Sequence, residues 1–173
     1  MINLFDSHAH LDSKEFDGKV EEIISNAKNA GVTRIVTIGA ADKYQSAARA
    51  ISLSEKYPNV WASVGLHPHD SEAKPDMELL NNFSQHRKVV AIGETGLDFY
   101  RDWSPKEYQE TCFVEQIRLA LDVKKPLIIH SRDAGMDCIK ILLKYHAGDV
   151  GGVFHCYAED ADFAKRLADI NFL

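Results

Sequence analysis

The stretch FDSHAHLD at residues 5–12 carries two histidines, His8 and His10, separated by a single residue. A short apolar run leads into it, which predicts a β-strand. Successive side chains of a strand point to opposite faces, so these two imidazoles are expected to point the same way. Two imidazoles on one face at the end of a strand can hold a metal ion. A surface loop that carries two histidines is an equally open interpretation of this stretch alone.

Strand and helix patterns alternate along the rest of the chain. Short apolar runs predict strands at residues 2–5, 32–38, 60–64, 89–92, 126–129 and 150–154, and residues 170–173 resemble the start of a seventh. Asp42, Ser104 and Asp133 are expected to cap three of the intervening helices. Strands joined by single helices pair in parallel, which leaves a doubly wound sheet or a (β/α)₈ barrel. No glycine-rich phosphate loop follows the first strand, which disfavours a nucleotide-binding doubly wound sheet.

Composition limits the class of protein. The chain has 173 residues, 45% of them hydrophobic and 27% charged, as expected for one globular domain spanning residues 1–173. A net charge of −6 argues against non-specific coating of nucleic acid. Three cysteines without a C-x-x-C pattern predict free thiols in a reducing cytoplasm, and Cys156 is expected to be buried. No signal peptide or membrane span is predicted, so we expect a cytoplasmic protein.

A candidate metal ligand follows almost every predicted strand. These residues are His8 and His10 after the first, His67 after the third, Glu94 after the fourth, His130 after the fifth and His155 after the sixth. In a parallel barrel all carboxyl ends of the strands meet at one face, so these side chains are expected to converge. Nitrogen and carboxylate donors without a thiolate suit Zn²⁺, Mn²⁺, Fe²⁺ or Mg²⁺. One carboxylate among several imidazoles suggests two ions bridged by Glu94, while His67 is open between a contact in the site and a structural role.

Five segments carry a family resemblance: DSHAHLD (residues 6–12), VGLHPH (64–69), IGETGLDFY (92–100), PLIIHSR (126–132) and FHCY (154–157). In this order they are similar to the TatD family of metal-dependent hydrolases, and the similarity covers the whole chain. It implies a (β/α)₈ TIM barrel and a deoxyribonuclease that cleaves single-stranded DNA from 3′ to 5′ with a metal-activated water. We expect DNA as the partner, with no membrane association and no obligate protein partner.

The resemblance also implies roles for individual residues. Two divalent cations, Mg²⁺, Mn²⁺ or Zn²⁺, would be held by His8 and His10 on one side and by His130 and His155 on the other, with Glu94 as the bridge. His67 matches a position near the substrate phosphate, so the catalytic residues would be Glu94 and His67. Arg132 and Tyr100 would contact phosphate or base, although exposed loop residues are an equally open interpretation.

The chain departs from the family pattern in length. A family barrel has about 250 residues and eight strands, whereas about six βα units and the start of a seventh strand are expected here. The family's last metal ligand, an aspartate after strand eight, has no counterpart, so we expect a barrel whose C-terminal part is missing. Two other functions stay open: a metal-dependent deacylase or amidohydrolase, such as a D-aminoacyl-tRNA deacylase, and an inactive fragment with an incomplete metal site.

Overall fold

The computed structural model describes residues 3–101 and 103–173, so residues 2 and 102, which fall in the first predicted strand and in the loop after the fourth, lie outside it. Its strands are β1 (Leu4–Ala9), β2 (Val32–Gly39), β3 (Val60–Val64), β4 (Val89–Asp98), β5 (Leu127–Arg132) and β6 (Gly152–Phe154). Its α-helices are α1 (Val20–Asn29), α2 (Gln45–Lys56), α3 (Met77–Ser84), α4 (Lys106–Val123), α5 (Gly135–Lys144) and α6 (Ala161–Asp169). Among the described residues, no helix combines the length and apolar character needed to cross a membrane.

The strands form one parallel sheet in the order β1-β2-β3-β4-β5-β6. In a doubly wound sheet the strand order reverses at a switch point, whereas in a barrel each strand lies beside its neighbour in the sequence. The observed order therefore decides between the two predicted folds. The fold is the α/β type of a TIM barrel, present here as an incomplete barrel of six strands.

Each face of the sheet has its own apolar layer. The larger layer joins the outer face to the helices and includes Val64, Leu80, Phe113, Ile117 and Ile129, all of them fully buried. A smaller cluster on the inner face contains Val36, Ile38, Ala40, Ala91 and Ile128. A mostly apolar cavity of about 830 Å³ opens beside this inner cluster. The inner face of the sheet is therefore apolar in this region.

Strand β4 is longer than the sequence predicts. The apolar run ends at Ile92, but the strand continues to Asp98 because its second half pairs with β5. Gly96 makes this pairing possible: its φ is 138°, and a Cβ built there would lie 2.1 Å from the carbonyl oxygen of His130. The two glycines of this segment mark a close approach of two strands rather than the start of a loop.

The last residues of the chain begin to pair beside β6. They make one parallel bridge, between Gly152 and Phe172, and the backbone N–H of Leu173 donates to the Gly152 carbonyl at 3.1 Å. The predicted start of a seventh strand is therefore confirmed.

The three predicted caps are also wrong. Asp42 and Asp133 have φ values of 50° and 52°, so both lie in turns that precede α2 and α5 rather than at the capping position. The carboxylate of Asp42 pairs with Arg49 at 2.9 Å instead. Ser104 donates from Oγ to the backbone oxygen of Ser71 at 2.7 Å, so its side chain does not cap α4. For Asp42 and Ser104 another partner therefore engages the side chain.

Candidate metal centre

All six candidate side chains converge at the carboxyl ends of the strands. The elements that position them are β1 for His8, β4 for Glu94 and β5 for His130, with His10, His67 and His155 just beyond β1, β3 and β6. Glu94 lies at the centre and is only 2% exposed. The sequence therefore predicted which residues come together, while their role as ligands stays a prediction.

The two carboxylate oxygens of Glu94 face different groups of imidazoles. Oε2 lies 3.2 Å from His8 Nε2 and 3.9 Å from His10 Nε2. Oε1 lies 2.5 Å from His155 Nε2, 2.8 Å from His130 Nδ1 and 3.3 Å from His67 Nε2. A carboxylate arranged in this way can bridge two cations, one bound through each oxygen.

The spacing of the nitrogens tests whether metal ions fit. His8 Nε2 and His10 Nε2 are 3.2 Å apart, and His130 Nδ1 and His155 Nε2 are 3.3 Å apart. Two imidazole nitrogens that bind one ion at about 2.0–2.1 Å lie about 3.0–3.4 Å from each other, depending on the coordination geometry. The pairs therefore fit one ion each, and each pair forms a compact set of donors with its own oxygen of Glu94.

His67 differs from the other histidines of the centre because a backbone N–H donates to its ring. The backbone N–H of His69 donates to His67 Nδ1 at 3.1 Å, so this nitrogen carries no proton. A neutral imidazole then has its proton on Nε2, the atom that faces Glu94 Oε1. His67 is thus arranged as a hydrogen-bond donor to the centre, although its distances to Glu94 and His130 would also admit a ligand.

Burial and hydrogen bonding oppose each other at Glu94 and His130. Burial is the largest influence on the pKa of Glu94 and would raise it, but hydrogen bonds from the surrounding histidines outweigh burial and hold this pKa far below its ordinary value. For His130, burial lowers the pKa, yet Glu94 and Asp98 outweigh it and leave the pKa raised. Glu94 is therefore an anion that depends on positive or hydrogen-bonding neighbours.

Burial prevails at two other histidines. It lowers the pKa of His10 and of His67 even though Glu94 opposes the change at both. Both imidazoles therefore favour the neutral form, in which His10 offers a lone pair and His67 keeps one proton to donate.

Two residues of the site were not identified from the sequence. Asp98, only 1% exposed, lies 2.6 Å from His69 Nε2 and 3.1 Å from His130 Nε2 through its Oδ2 atom. His69, which was expected to be a loop residue, belongs to a short 3₁₀ turn, Pro68–Asp70. The available signal was the spacing His67-Pro-His69, which mirrors that of His8 and His10, together with an acid four residues after Glu94.

Two buried glutamines on α4 hold the segments that carry these groups. Gln116 accepts from Leu66 N–H at 2.7 Å and donates to Leu66 C=O at 3.0 Å, directly before His67. Gln109 accepts from the backbone N–H of Asp98 at 2.8 Å and donates to its carbonyl at 3.1 Å. Both side chains lie on the inner face of the helix, two turns apart. One helix therefore fixes the ends of two strands.

Aromatic and cationic side chains lie on the loop that follows β4 and at the neighbouring end of β5. The guanidinium of Arg132 stands 4.3 Å from the ring centroid of Tyr100, and that of Arg101 stands 4.7 Å from the Trp103 ring. Tyr100 is 61% exposed and Trp103 is 64% exposed. We call these four residues the aromatic rim. The structure thus places both predicted substrate contacts, Arg132 and Tyr100, together on an exposed surface.

Cys156 is exposed, so the expectation that it is buried was wrong. Its φ is 48°, which turns the chain directly after β6 and directs it away from the strand geometry on which the expectation rested. Cys112 and Cys138 are buried, and all three thiols are free.

An all-parallel barrel sheet with histidines and a buried carboxylate at its strand ends is typical of the metal-dependent hydrolases. The profile of the family described as TatD related DNase matches residues 5–173. The chain belongs to this TatD family, as the sequence motifs predicted.

Relatives support this assignment over nearly the whole chain. It is 42% identical over 171 residues to "Uncharacterized metal-dependent hydrolase YabD" of Bacillus subtilis, covering 98% of this chain and 66% of that protein. It is 33% identical over 165 residues to "3'-5' ssDNA/RNA exonuclease TatD" of Cronobacter sakazakii, covering 94% of this chain and 62% of that protein. The chain thus spans slightly less than two thirds of the length of these relatives.

Solved structures agree with the fold. YjjV, a TatD homologue from Escherichia coli, superposes with a TM-score of 0.86 at 30% identity, covering 98% of this chain and 66% of that one. The phosphotriesterase homology protein of Escherichia coli has a TM-score of 0.69 at 14% identity, covering 97% of this chain and 68% of that one. The second similarity concerns the fold alone.

Proposed function

We propose that the strand-end centre holds two divalent cations and hydrolyses phosphodiester bonds of single-stranded DNA, removing nucleotides from the 3′ end. The observation that carries the proposal is the division of Glu94: each of its oxygens faces a separate group of imidazoles. Mg²⁺, Mn²⁺ and Zn²⁺ are the candidate ions. Bound divalent ions supply Lewis acidity and lower the pKa of water, which makes a nucleophile available near neutral pH.

The chain's own residues have distinct tasks in this proposal. Glu94 would be a ligand of both ions and would keep their two groups of histidines in one arrangement. His67 donates its Nε2 proton in a hydrogen bond to a phosphoryl oxygen, where negative charge develops as the bond to phosphorus breaks. Because its Nδ1 atom is held by the backbone N–H of His69, the donor is oriented before substrate binds.

The aromatic rim favours the proposal of a single-stranded substrate. Exposed rings such as Tyr100 offer a surface on which an unpaired base can stack, and Arg132 beside it offers a charge for the adjoining phosphate. A relative that is 33% identical to this chain is named a 3'-5' ssDNA/RNA exonuclease, which agrees with this class of substrate. We place the protein in the cytoplasm on the grounds of its free thiols.

The decisive experiment compares Glu94→Gln with the wild type on single-stranded oligonucleotides labelled at either end. With Mn²⁺ or Mg²⁺ present, we expect shortening from the 3′ end by the wild type and a loss of about 100-fold or more in the variant, because one bridging charge is gone. Glu107→Gln, an exposed carboxylate on α4, is the matched control and should leave activity unchanged. Two outcomes would overturn the proposal. One is hydrolysis of D-aminoacyl-tRNA or a simple ester while the DNA stays uncleaved, and the other is fewer than one bound ion per chain together with no cleavage of DNA.

A second variant separates donor from ligand at His67. Removing a donor that acts on developing charge costs about 10²–10³ in kcat, so His67→Ala should lose turnover while elemental analysis still finds the wild-type metal content. Loss of one ion together with the activity would instead make His67 a ligand.

A further inference from the structure

We propose that Asp98, assisted by His69, is a positioning residue that accepts the Nε2 proton of His130 in a hydrogen bond and so fixes the orientation of its ring, with Nδ1 facing the metal centre. The inference rests on the proposed function for its consequence, which is tighter metal binding. Its geometric core, the hydrogen bond from His130 Nε2 to Asp98, can be tested without any metal.

Hydrogen bonds fix both the side chain and the backbone of Asp98. Its Oδ1 atom accepts the backbone N–H groups of Tyr100 at 3.1 Å and Arg101 at 3.0 Å. Its own backbone N–H and carbonyl are both paired with the Gln109 side chain. With Oδ1 occupied and the backbone fixed, the direction of Oδ2 is fixed as well. Asp98 therefore presents one oxygen rigidly to the imidazoles beside it.

The chemistry of a carboxylate then determines where the protons lie. An ionised carboxylate oxygen only accepts hydrogen bonds, so both nitrogens close to Oδ2 are donors. These are His69 Nε2 at 2.6 Å and His130 Nε2 at 3.1 Å. The other ring nitrogen of His130, Nδ1, faces the centre and lies 2.8 Å from Glu94 and 3.3 Å from His155. Without a metal Nδ1 can donate to Glu94 by the same rule, whereas a bound cation would take the Nδ1 lone pair and leave the remaining proton on Nε2. Asp98 thus orients the His130 ring through Nε2, the nitrogen that does not face Glu94.

His69 supplies the second donor to the same oxygen. It lies in the turn after His67, and its ring packs edge-on against Trp103 with centroids 4.4 Å apart. Two imidazole N–H groups from different elements converge on Oδ2, which opposes any rotation of the Asp98 carboxylate towards only one of them. His69 therefore assists Asp98 and does not itself face Glu94.

A third metal ion among His69, Asp98 and His130 is the competing interpretation, since their donor atoms are close together. It fits less well because, together with the ions proposed above, it would require lone pairs on both nitrogens of His130, which a neutral imidazole does not have.

The first test is the proton on Nε2. Long-range ¹H–¹⁵N correlation spectra of the metal-free wild type should show a proton on His130 Nε2, whether or not Nδ1 also carries one. In Asp98→Asn the amide can keep Oδ1 on the backbone N–H groups and turn its NH₂ towards His130, so we expect the proton on Nε2 to be lost and Nδ1 alone to be protonated. A wild-type His130 protonated on Nδ1 alone would overturn the inference, and this measurement needs no variant to fold.

The second test is metal affinity, measured by Co²⁺ absorbance and by titration calorimetry with Zn²⁺. We expect about 10- to 100-fold weaker binding in Asp98→Asn, a smaller loss in His69→Ala, and none in Asp169→Asn, an exposed control on α6. Unchanged affinity in Asp98→Asn would refute the positioning role. A wild type that binds no metal would refute the proposed function instead, while the tautomer spectra would still decide the proton's position.

Discussion

Replacing Gln116 by methionine should destabilise the fold strongly and loosen the metal centre. Gln116 is fully buried, and its amide pairs with Leu66 N–H, Leu66 C=O and the hydroxyl of Thr95. Leu66 and Thr95 are 1% and 0% exposed, so water cannot replace the lost partners. Methionine has a similar length but offers no donor and only a weak acceptor.

The magnitude follows from the groups left unpaired. Each buried polar group without a partner costs about 1–3 kcal/mol, and three such groups remain after the substitution. Part of the cost is offset by the apolar surface that methionine buries, so we expect a loss of roughly 3–5 kcal/mol. A domain is stable by about 5–15 kcal/mol in total, so the variant should be marginal.

Urea unfolding followed by circular dichroism measures this loss. Glu110→Met places the same side chain on an exposed position of the same helix and should change the free energy of unfolding by less than about 0.5 kcal/mol. If Gln116→Met also stays within that margin, the paired amide does not hold the segment after β3, and α4 does not fix the ends of the two strands.

Three further outcomes are expected. In the native protein a thiol reagent should modify Cys156, which is exposed, and spare Cys138, since burial raises the pKa of that thiol to about 12; mass spectrometry before and after unfolding checks this. Gly96→Ala should lower the melting temperature far more than Gly18→Ala, because a Cβ at Gly96 would overlap the backbone of β5 while one at Gly18 meets nothing within 4 Å; equal shifts would contradict the close approach. Saturating Zn²⁺ or Mn²⁺ should stabilise the fold by about 2.7 kcal/mol at a hundred times its Kd, and chelation should reverse the gain; a melting temperature indifferent to both would count against a metal centre.

The parallel barrel was predictable because its signals are local and periodic. Each apolar run is short and bounded, and each is followed by a helical pattern, so the strands and their parallel pairing follow from the sequence. The spatial order of the strands, which separates a barrel from a doubly wound sheet, came from the structure. The convergence of His8, Glu94, His130 and His155 followed from the same rule, because the carboxyl ends of parallel strands meet at one face. The family motifs added the expected identity of the ligands.

What was missed depends on side-chain contacts that residue type does not reveal. Asp42 and Ser104 are good capping residues by type, yet Arg49, seven residues further on, and the Ser71 carbonyl, 33 residues earlier, engage their side chains. The same limit hid Asp98, whose importance comes from its contact with His130, 32 residues away in the sequence. Propensity describes neighbours along the chain, whereas these roles are set by neighbours in space.

The burial of Glu94 has a consequence for how a substrate would reach the site. The chain as a whole has a net charge of −6, and the site described above contributes two buried carboxylates, Glu94 and Asp98, when its histidines are neutral. Two bound divalent cations would therefore exceed the negative charge of their ligands and create a local positive potential on an acidic protein. A phosphodiester would be drawn to that spot and repelled elsewhere, so association should slow as ionic strength rises while the rate of bond cleavage in the bound complex changes little.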